Sequence, residues 1–401
     1  MTDEQSRTID VAELIDDPAL GEPFLVEVLG SLVRARSVNP GIYEAEMAER
    51  VVEWLRPTAA KVTVVEFEPG RPSVAAVLEG SGDGPRLVLN GHMDTHPLDE
   101  EGLWTADPFG GEIRDGFMYG RGACDMKAGL TTQIAAAHHL SKHADRLKGS
   151  LVLQFAAGEE RGEPGTRSLV EAGFVGDVGI VTEPTELRVA TAERGTTWFV
   201  IRIKGRSIHS SRAHLGINPI WRLGPVLEVL KEYERDVKAL HHPLLPGGSC
   251  TPGIVRGGVK ENSVPDYCEV VIDRRLLPGE SIDGELAALR ARLEPIRKSD
   301  PDFDFELTRY RIAFPPTEID PESHFSKLVL RAAEAVTGSP QEPWGTPFSS
   351  DIADLVDAGI ETLTFGPGNV AECHCADERV SVRQVRDAAL VVAKVARDLL
   401  L

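Results

Sequence analysis

Leu87-Val88-Leu89-Asn90-Gly91-His92-Met93-Asp94-Thr95-His96 decides the fold. Three consecutive aliphatic residues with no polar alternation predict a strand covered on both faces, the pattern of a parallel sheet between layers of helix. The run ends in a turn that offers an imidazole and, two residues later, a carboxylate. Open α/β sheets meet their ligands at the carboxyl ends of their strands. The His-x-Asp spacing lets His92 hold a metal while Asp94 orients that imidazole, or a neighbouring group, from behind. A single histidine at a strand end is also an ordinary hydrogen-bonded residue, so the reading depends on repetition.

Repetition follows. Residues 150–157 form another apolar run, and Gly158-Glu159-Glu160-Arg161-Gly162 comes next. Two adjacent carboxylates at a buried strand's end repel each other unless a cation or a proton intervenes. Residues 178–181 lead into Thr182-Glu183-Pro184-Thr185 in the same manner. Tyr119-Gly120-Arg121-Gly122-Ala123-Cys124-Asp125-Met126-Lys127 sets Asp125 at the start of a helix expected to run to Ser141, where it would also serve as an N-cap. Residues 362–365 form a last short strand, and Gly366-Pro367-Gly368 turns the chain toward His374. Acid and imidazole groups at successive strand ends would converge on one edge of the sheet. Two imidazoles and three carboxylates make a hard, oxygen-rich set that suits two zinc ions, or manganese or cobalt, better than a thiolate site would. A pair of divalent ions about 3.5–4 Å apart is served by about five such ligands with one bridging.

Composition bounds the rest. The 401 residues are enough for two domains. A formal net charge of −20 argues against nucleic acid and anionic membranes as partners. No apolar run approaches the length of a membrane span. Residues 1–17 are polar and acidic without a basic-then-apolar leader, so the cytoplasm is the expected compartment. Cys124, Cys250, Cys268, Cys373 and Cys375 are scattered without a C-x-x-C pair, as reduced thiols are.

Upstream of the opening stretch, helices are expected over residues 24–36 and 44–55, and strands over 61–68 and 73–79. Between Glu183 and His374 the pattern changes. Residues 196–204 and 267–275 alternate as half-buried strands, helices are expected over 218–240 and 284–297, and a further strand over 303–310. Helices set among alternating strands predict an α+β insert at 194–312. The catalytic domain would then comprise residues 1–193 and 313–401, an α/β fold whose mostly parallel twisted sheet carries helices on both faces.

Five ordered motifs, Gly91-His92-Met93-Asp94-Thr95, Gly120 through Lys127, Gly158-Glu159-Glu160, Thr182-Glu183-Pro184-Thr185 and Gly366-Pro367-Gly368 with His374, resemble the dinuclear-zinc aminoacylase and metallocarboxypeptidase family. That family includes acetylornithine deacetylase, succinyl-diaminopimelate desuccinylase, aminoacylase, glutamate carboxypeptidase and cytosolic dipeptidases, and the resemblance spans nearly the whole chain. It implies that His92 and Glu183 ligate one or other metal, that Asp125 bridges both, and that Glu160 and His374 complete the set. Asp94 would orient the His92 side, and Glu159 matches the general base that takes a proton from the bridging water. The insert resembles the family's lid, which also carries the dimer contact, so a homodimer is implied. His209 matches the histidine that reaches the partner subunit's site and binds the developing oxyanion. Asn262 and Arg275 match positions that hold the substrate's carboxylate, a task suited to a guanidinium fork. Ser349-Ser350-Asp351 resembles a turn near the site. Cys373 and Cys375 flank His374 where the family is variable.

The expected activity is hydrolysis of the amide bond of a small N-acyl amino acid, in the manner of a deacetylase or desuccinylase. A metallocarboxypeptidase or dipeptidase is the alternative. Two readings lie further off. A dinuclear phosphoesterase would not need Arg275 and Asn262, and a catalytically silent metal-binding protein would be natural only if Glu159 or a ligand were missing.

Overall fold

The computed structural model describes residues 11–98 and 101–401, so most of the polar, acidic stretch at 1–17 lies outside the described residues. Along the chain, α1 (Glu22–Arg34) and α2 (Ala45–Leu55) lead into β1 (Lys61–Glu66), β2 (Pro72–Leu78) and β3 (Arg86–His92). After α3 (Ala128–Ser141) come β4 (Ser150–Ala156), α4 (Gly165–Glu171), β5 (Val178–Val181) and β6 (Ala190–Glu193). Then follow β7 (Gly195–Lys204), α5 (Pro219–Lys238), β8 (Ser249–Gly257), β9 (Tyr267–Leu276), α6 (Ile282–Ser299) and β10 (Phe305–Phe314). The chain closes with α7 (His324–Thr337), α8 (Ile352–Asp357), β11 (Glu361–Thr364) and α9 (Val382–Leu400). Two compact units result. The first holds the described residues up to Thr191 with Ile319–Trp344 and Ser350–Leu401, and the second holds Ala192–Glu318 with Gly345–Ser349.

In the first unit the strands lie in the order β1-β2-β4-β3-β5-β11-β6. The central four, β4, β3, β5 and β11, are parallel neighbours, while β1, β2 and β6 flank them antiparallel. The sheet is therefore mixed with a parallel centre. The unalternated apolar run at 87–89 has a direct cause. Leu87 and Leu89 pack with Ile134 of α3 and Val391, Val392 and Val395 of α9, while Val88 packs on the other side with Ile352 and Leu355 of α8. Both faces are covered, so neither can be polar. The helices read from sequence by period are amphipathic, with Met47, Ala48, Val51 and Leu55 buried on α2. α1 begins earlier than expected because Pro23 fits the first helical turn, where its missing N–H has no partner to lose.

Asp125 departs from its expected place. It follows the strand Phe117–Tyr119 of a small antiparallel sheet, not a strand of the parallel one. It does not cap α3, because it lies inside the distorted turn Ala123–Lys127 at φ −115° and ψ 96°, and Lys127 stands at the cap position. Its carboxylate is drawn instead to two imidazoles, described below.

α3 approaches the end of β5 so closely that a Cβ at Gly129 would lie 2.0 Å from the Thr182 carbonyl oxygen. Gly129→Ala should therefore cost about 1–3 kcal/mol by overpacking. Gly224 in α5 has open space around the same position, and Gly224→Ala should stabilise by about 0.5–1 kcal/mol through the chain entropy glycine loses in a helix. Urea midpoints of the two variants should move in opposite directions.

The second unit carries an antiparallel sheet in the order β8-β9-β7-β10. Phe199, Ile201 and Ile203 of β7 with Val270 and Ile272 of β9 face Val226 and Leu230 of α5 and Leu289 and Leu293 of α6. Asn218 and Ser281 cap these two helices through their side-chain oxygens. β8 forms one edge and is exposed along most of its length. Among the described residues no helix is long and apolar enough to cross a membrane.

Candidate metal centre

His92 ends β3 and is almost wholly buried. Its Nδ1 lies 2.9 Å from the Asp94 main-chain oxygen. A carbonyl only accepts, so Nδ1 carries the proton and Nε2 is the atom left to ligate. That Nε2 lies 3.1 Å from Asp125 Oδ1 and 3.5 Å from Glu183 Oε1. His374 reaches the same carboxylate from the opposite side, its Nε2 3.1 Å from Asp125 Oδ2 and 3.2 Å from Glu160 Oε2. Two triads result, His92–Asp125–Glu183 and Asp125–Glu160–His374, each with its ligand atoms within 4.8 Å of one another. Asp125 belongs to both, one oxygen toward each. The His374 ring also stacks on His96, with centroids 4.3 Å apart.

The electrostatics fit cations. Burial disfavours a charged His92, but hydrogen bonds to Asp125 and Asp94, with Glu183 and Glu159 nearby, carry its pKa well above the ordinary imidazole value. The bonds to Asp125 and Glu160 push His374 up to about 10. Burial alone would raise Asp125, yet the two imidazoles hold it far below the usual carboxylate range. The carboxylates thus favour positive charge at both imidazole positions. Glu160 Oε1 is buried without a hydrogen-bond partner, a costly arrangement unless something ligates it. The nitrogen and carboxylate set, the shared Asp125 and this orphaned oxygen fit a pair of divalent ions. Neither triad contains a thiol. Cys373 Sγ lies 3.7 Å from Cys124 Sγ, and both are free thiols.

Glu159 and Glu160 sit in the single turn Glu159–Arg161, entered through Gly158 at φ +88° and left through Gly162 at φ +65°. Glu159 Oε2 stays 4.0 Å from His92 Nε2 and outside both triads. Burial raises its pKa well above the carboxylate norm; His92 opposes this, and Asp351, Glu183 and Glu160 add to it. Asp94 does more than its expected task. Its main-chain oxygen fixes His92, while its carboxylate accepts from the amides of Gly158 (3.0 Å), Glu159 (3.1 Å) and Glu160 (3.2 Å). One side chain thereby fastens the loop that carries both glutamates. Asn39 Nδ2 donates to Asp94 Oδ2 at 2.9 Å and to Glu163 Oε2 at 3.0 Å, and Arg71 Nη2 donates to the same Glu163 oxygen.

His209, Asn262 and Arg275 belong to the second unit. Ile208 and His209 pair with Val264 and Ser263, and the main-chain oxygen of Asn262 accepts from Ser210 N at 2.9 Å. His209 is exposed and its Nδ1 accepts from Ser211 N at 3.2 Å, so in the neutral ring Nε2 is the donor. Arg275 is partly occupied: Nε and Nη2 donate to Asp273 at 2.8 and 3.2 Å, and Nη1 to Thr196 Oγ1 at 2.7 Å. One hydrogen on each terminal nitrogen is left for a ligand. Of the turn at 349–351, Ser349 donates to Thr196 Oγ1, and Asp351 is buried in the first unit as acceptor for Thr166 Oγ1 at 2.6 Å.

Residues 88–398 match the Peptidase family M20/M25/M40. The chain belongs to this family. It is 31% identical to the acetylornithine deacetylase of Vibrio atlanticus over 90% of this chain and 94% of that one. It is 27% identical to the N-formyl-4-amino-5-aminomethyl-2-methylpyrimidine deformylase of Halalkalibacterium halodurans over 94% of both. The fold is shared with the YXEP protein of Bacillus subtilis, a dinuclear metal-binding peptidase of the M20 family, at a TM-score of 0.71 and 20% identity over 95% of this chain and 98% of that one. The M20 protein described here is a hydrolase acting on amide bonds, which sets aside the phosphoesterase and the silent metal binder. Sequence reasoning missed Asn39, Arg71, Glu163 and Glu378 as partners of the M20 motifs. The signal available was slight: Arg71 is the one cation in the turn between two strands, and Glu378 is an acid four residues past His374.

Proposed function

We propose that this protein removes a small acyl group from an N-acyl amino acid, as a cytoplasmic homodimer using two divalent ions, zinc foremost and cobalt or manganese as substitutes. The observation that carries the reading is the pair of triads sharing Asp125 with Glu159 beside them and in neither. His92 and Glu183 would hold one ion, Glu160 and His374 the other, and Asp125 both. Bound there, the ions supply Lewis-acid polarisation of an amide carbonyl and acidify water.

The chain's own residues do the rest. Glu159 takes a proton from the attacking water, and its raised pKa lets it keep that proton until the leaving amine receives it. Asp94 keeps Glu159 in place through its bonds to the loop amides. His209 Nε2 donates to the tetrahedral oxyanion, and Arg275 with Asn262 holds the substrate's carboxylate. Acyl removal is preferred to peptide cleavage because both sequence relatives named above remove acyl groups by name, whereas the individual peptidase named above is 20% identical and shares the fold alone. The homodimer is supported by the exposed edge strand β8, with Val255 55% exposed on it, and by Trp221 of α5 at 81% exposure. The five free cysteines suit the reducing cytoplasm.

The test is a panel of N-acetyl, N-formyl, N-succinyl and N-carbamoyl amino acids with dipeptides, assayed with zinc, manganese and cobalt. An N-acyl amino acid should be turned over fastest; faster cleavage of dipeptides would move the reading to a dipeptidase. With the best substrate, amidating its carboxylate should lower kcat/KM by about 10–100-fold, the worth of a charge-assisted hydrogen bond of about 1.5–3 kcal/mol. Arg275→Lys should be impaired on the free acid as well. Equal turnover of acid and amide would remove Arg275 from the site.

A further inference from the structure

We propose that Glu378 is a positioning residue that aims the shared ligand Asp125 at both imidazoles; this rests on the metal-centre reading above. Asp125 and Cys124 lie in a turn whose backbone leaves helical geometry at Asp125 and Met126. Their amides therefore need an acceptor from elsewhere, since a buried N–H left unpaired costs stability. Glu378 Oε1 accepts both, from Cys124 N at 2.9 Å and Asp125 N at 3.0 Å. Its other oxygen, Oε2, accepts from Arg121 Nη1 at 2.8 Å, and its main-chain oxygen accepts from Gly120 N at 2.9 Å. Both side chains of that ion pair are fully buried. Asp377 beside it accepts from Thr105 N at 2.8 Å.

Glu378 lies in the same short segment as His374. One carboxylate thus joins the backbone that presents Asp125 to the segment that presents His374, and Arg121 anchors its other oxygen. A shift of the Asp125 amide would carry Oδ1 away from His92 and Oδ2 away from His374 together. Groups behind metal ligands typically change metal affinity by about 10–100-fold when altered, and here both ions would feel the change through the shared carboxylate.

The experiment uses the full chain, stripped with chelator and titrated with Co²⁺ while the visible spectrum and bound metal are measured. Wild type should bind two ions; failure to do so overturns the metal-centre reading and not the role of Glu378 within it. Glu378→Gln keeps the shape but places an amide NH2 against Arg121. It should bind Co²⁺ about 10–100-fold more weakly, with an altered spectrum. Glu378→Asp, which keeps the charge and withdraws the oxygens by one methylene, should act likewise if the glutamine variant does not fold. A lower metal-free melting temperature with unchanged Co²⁺ affinity and spectrum would make Glu378 a structural ion-pair partner only and overturn the proposal. In metal-free wild type the Cys124 and Asp125 amides should exchange slowly with deuterium; exchange at open-loop rates would overturn it without any variant.

Discussion

Glu159→Ala is expected to keep both metals and to lose about 10²–10⁴ of the turnover rate, the usual contribution of a positioned general base. The expectation follows from where the side chain stands. Glu159 is absent from both ligand triads, yet its Oε2 is 4.0 Å from the Nε2 of His92, close enough to serve the reacting atoms without holding a metal. The backbone of its loop is tied to Asp94 through three amides, so truncating the side chain leaves the loop and Glu160 in place. Metal analysis of the purified variant beside steady-state kinetics checks both halves. Loss of two ions, or near-normal turnover, would sink the division of labour between Glu159 and its neighbours. Asp125→Ala makes the contrast, because it removes the shared ligand from a cluster of like charges and should lose metal and stability together.

His209→Ala should lower turnover by about 10²–10³, the usual effect of deleting one oxyanion donor, and it should do so across the subunit boundary. The ring is exposed, and its Nδ1 is engaged by Ser211, which leaves Nε2 to donate. If each site takes Glu159 from one chain and His209 from the other, Glu159→Ala and His209→Ala homodimers are both nearly inactive. Re-equilibrated together, half the dimers are mixed, and in each mixed dimer one site carries both substitutions and the other neither. Activity should then recover to roughly a quarter of wild type. A tagged pull-down confirms chain exchange independently. Exchange without recovery would assign His209 to its own subunit or to no site.

The legible and illegible parts of this molecule separate along one physical line. Covering both faces of a strand leaves a mark on every residue of it, so Leu87, Val88 and Leu89 gave away the parallel sheet centre. The placement of His92, Glu160 and Glu183 at strand ends was legible for the same reason, since each follows a buried run. Asp125 is a proposed ligand by resemblance, and its local structure was not legible. The acceptor for its amide, Glu378, is 253 residues away, and no periodicity records such a partner. Asn39 and Asp94, 55 residues apart, were hidden likewise. The sequence pattern ends β10 at 310, whereas the strand runs to Phe314. Its register against β7 shifts between Arg309 and Ala313, and Arg311 takes φ +63°, an irregularity that alternation cannot encode.

The strand order has a consequence for biosynthesis. Four of the five proposed ligands have been translated once Glu183 is made, yet β11, which pairs with β5 in the sheet centre, spans Glu361–Thr364, and His374 comes later still. At about 5–20 residues per second a ribosome needs on the order of 10–40 s to cover that interval. Throughout it the nascent chain holds β5 paired with β3 but without its second parallel neighbour, β11, and an unpaired strand edge is a template for wrong partners. The strands of the second unit, β7 to β10, are contiguous in sequence and emerge in that same interval. The unpaired edge of β5 is where a chaperone would act on the nascent chain, and of the two triads only Asp125–Glu160–His374 must wait for His374 to emerge.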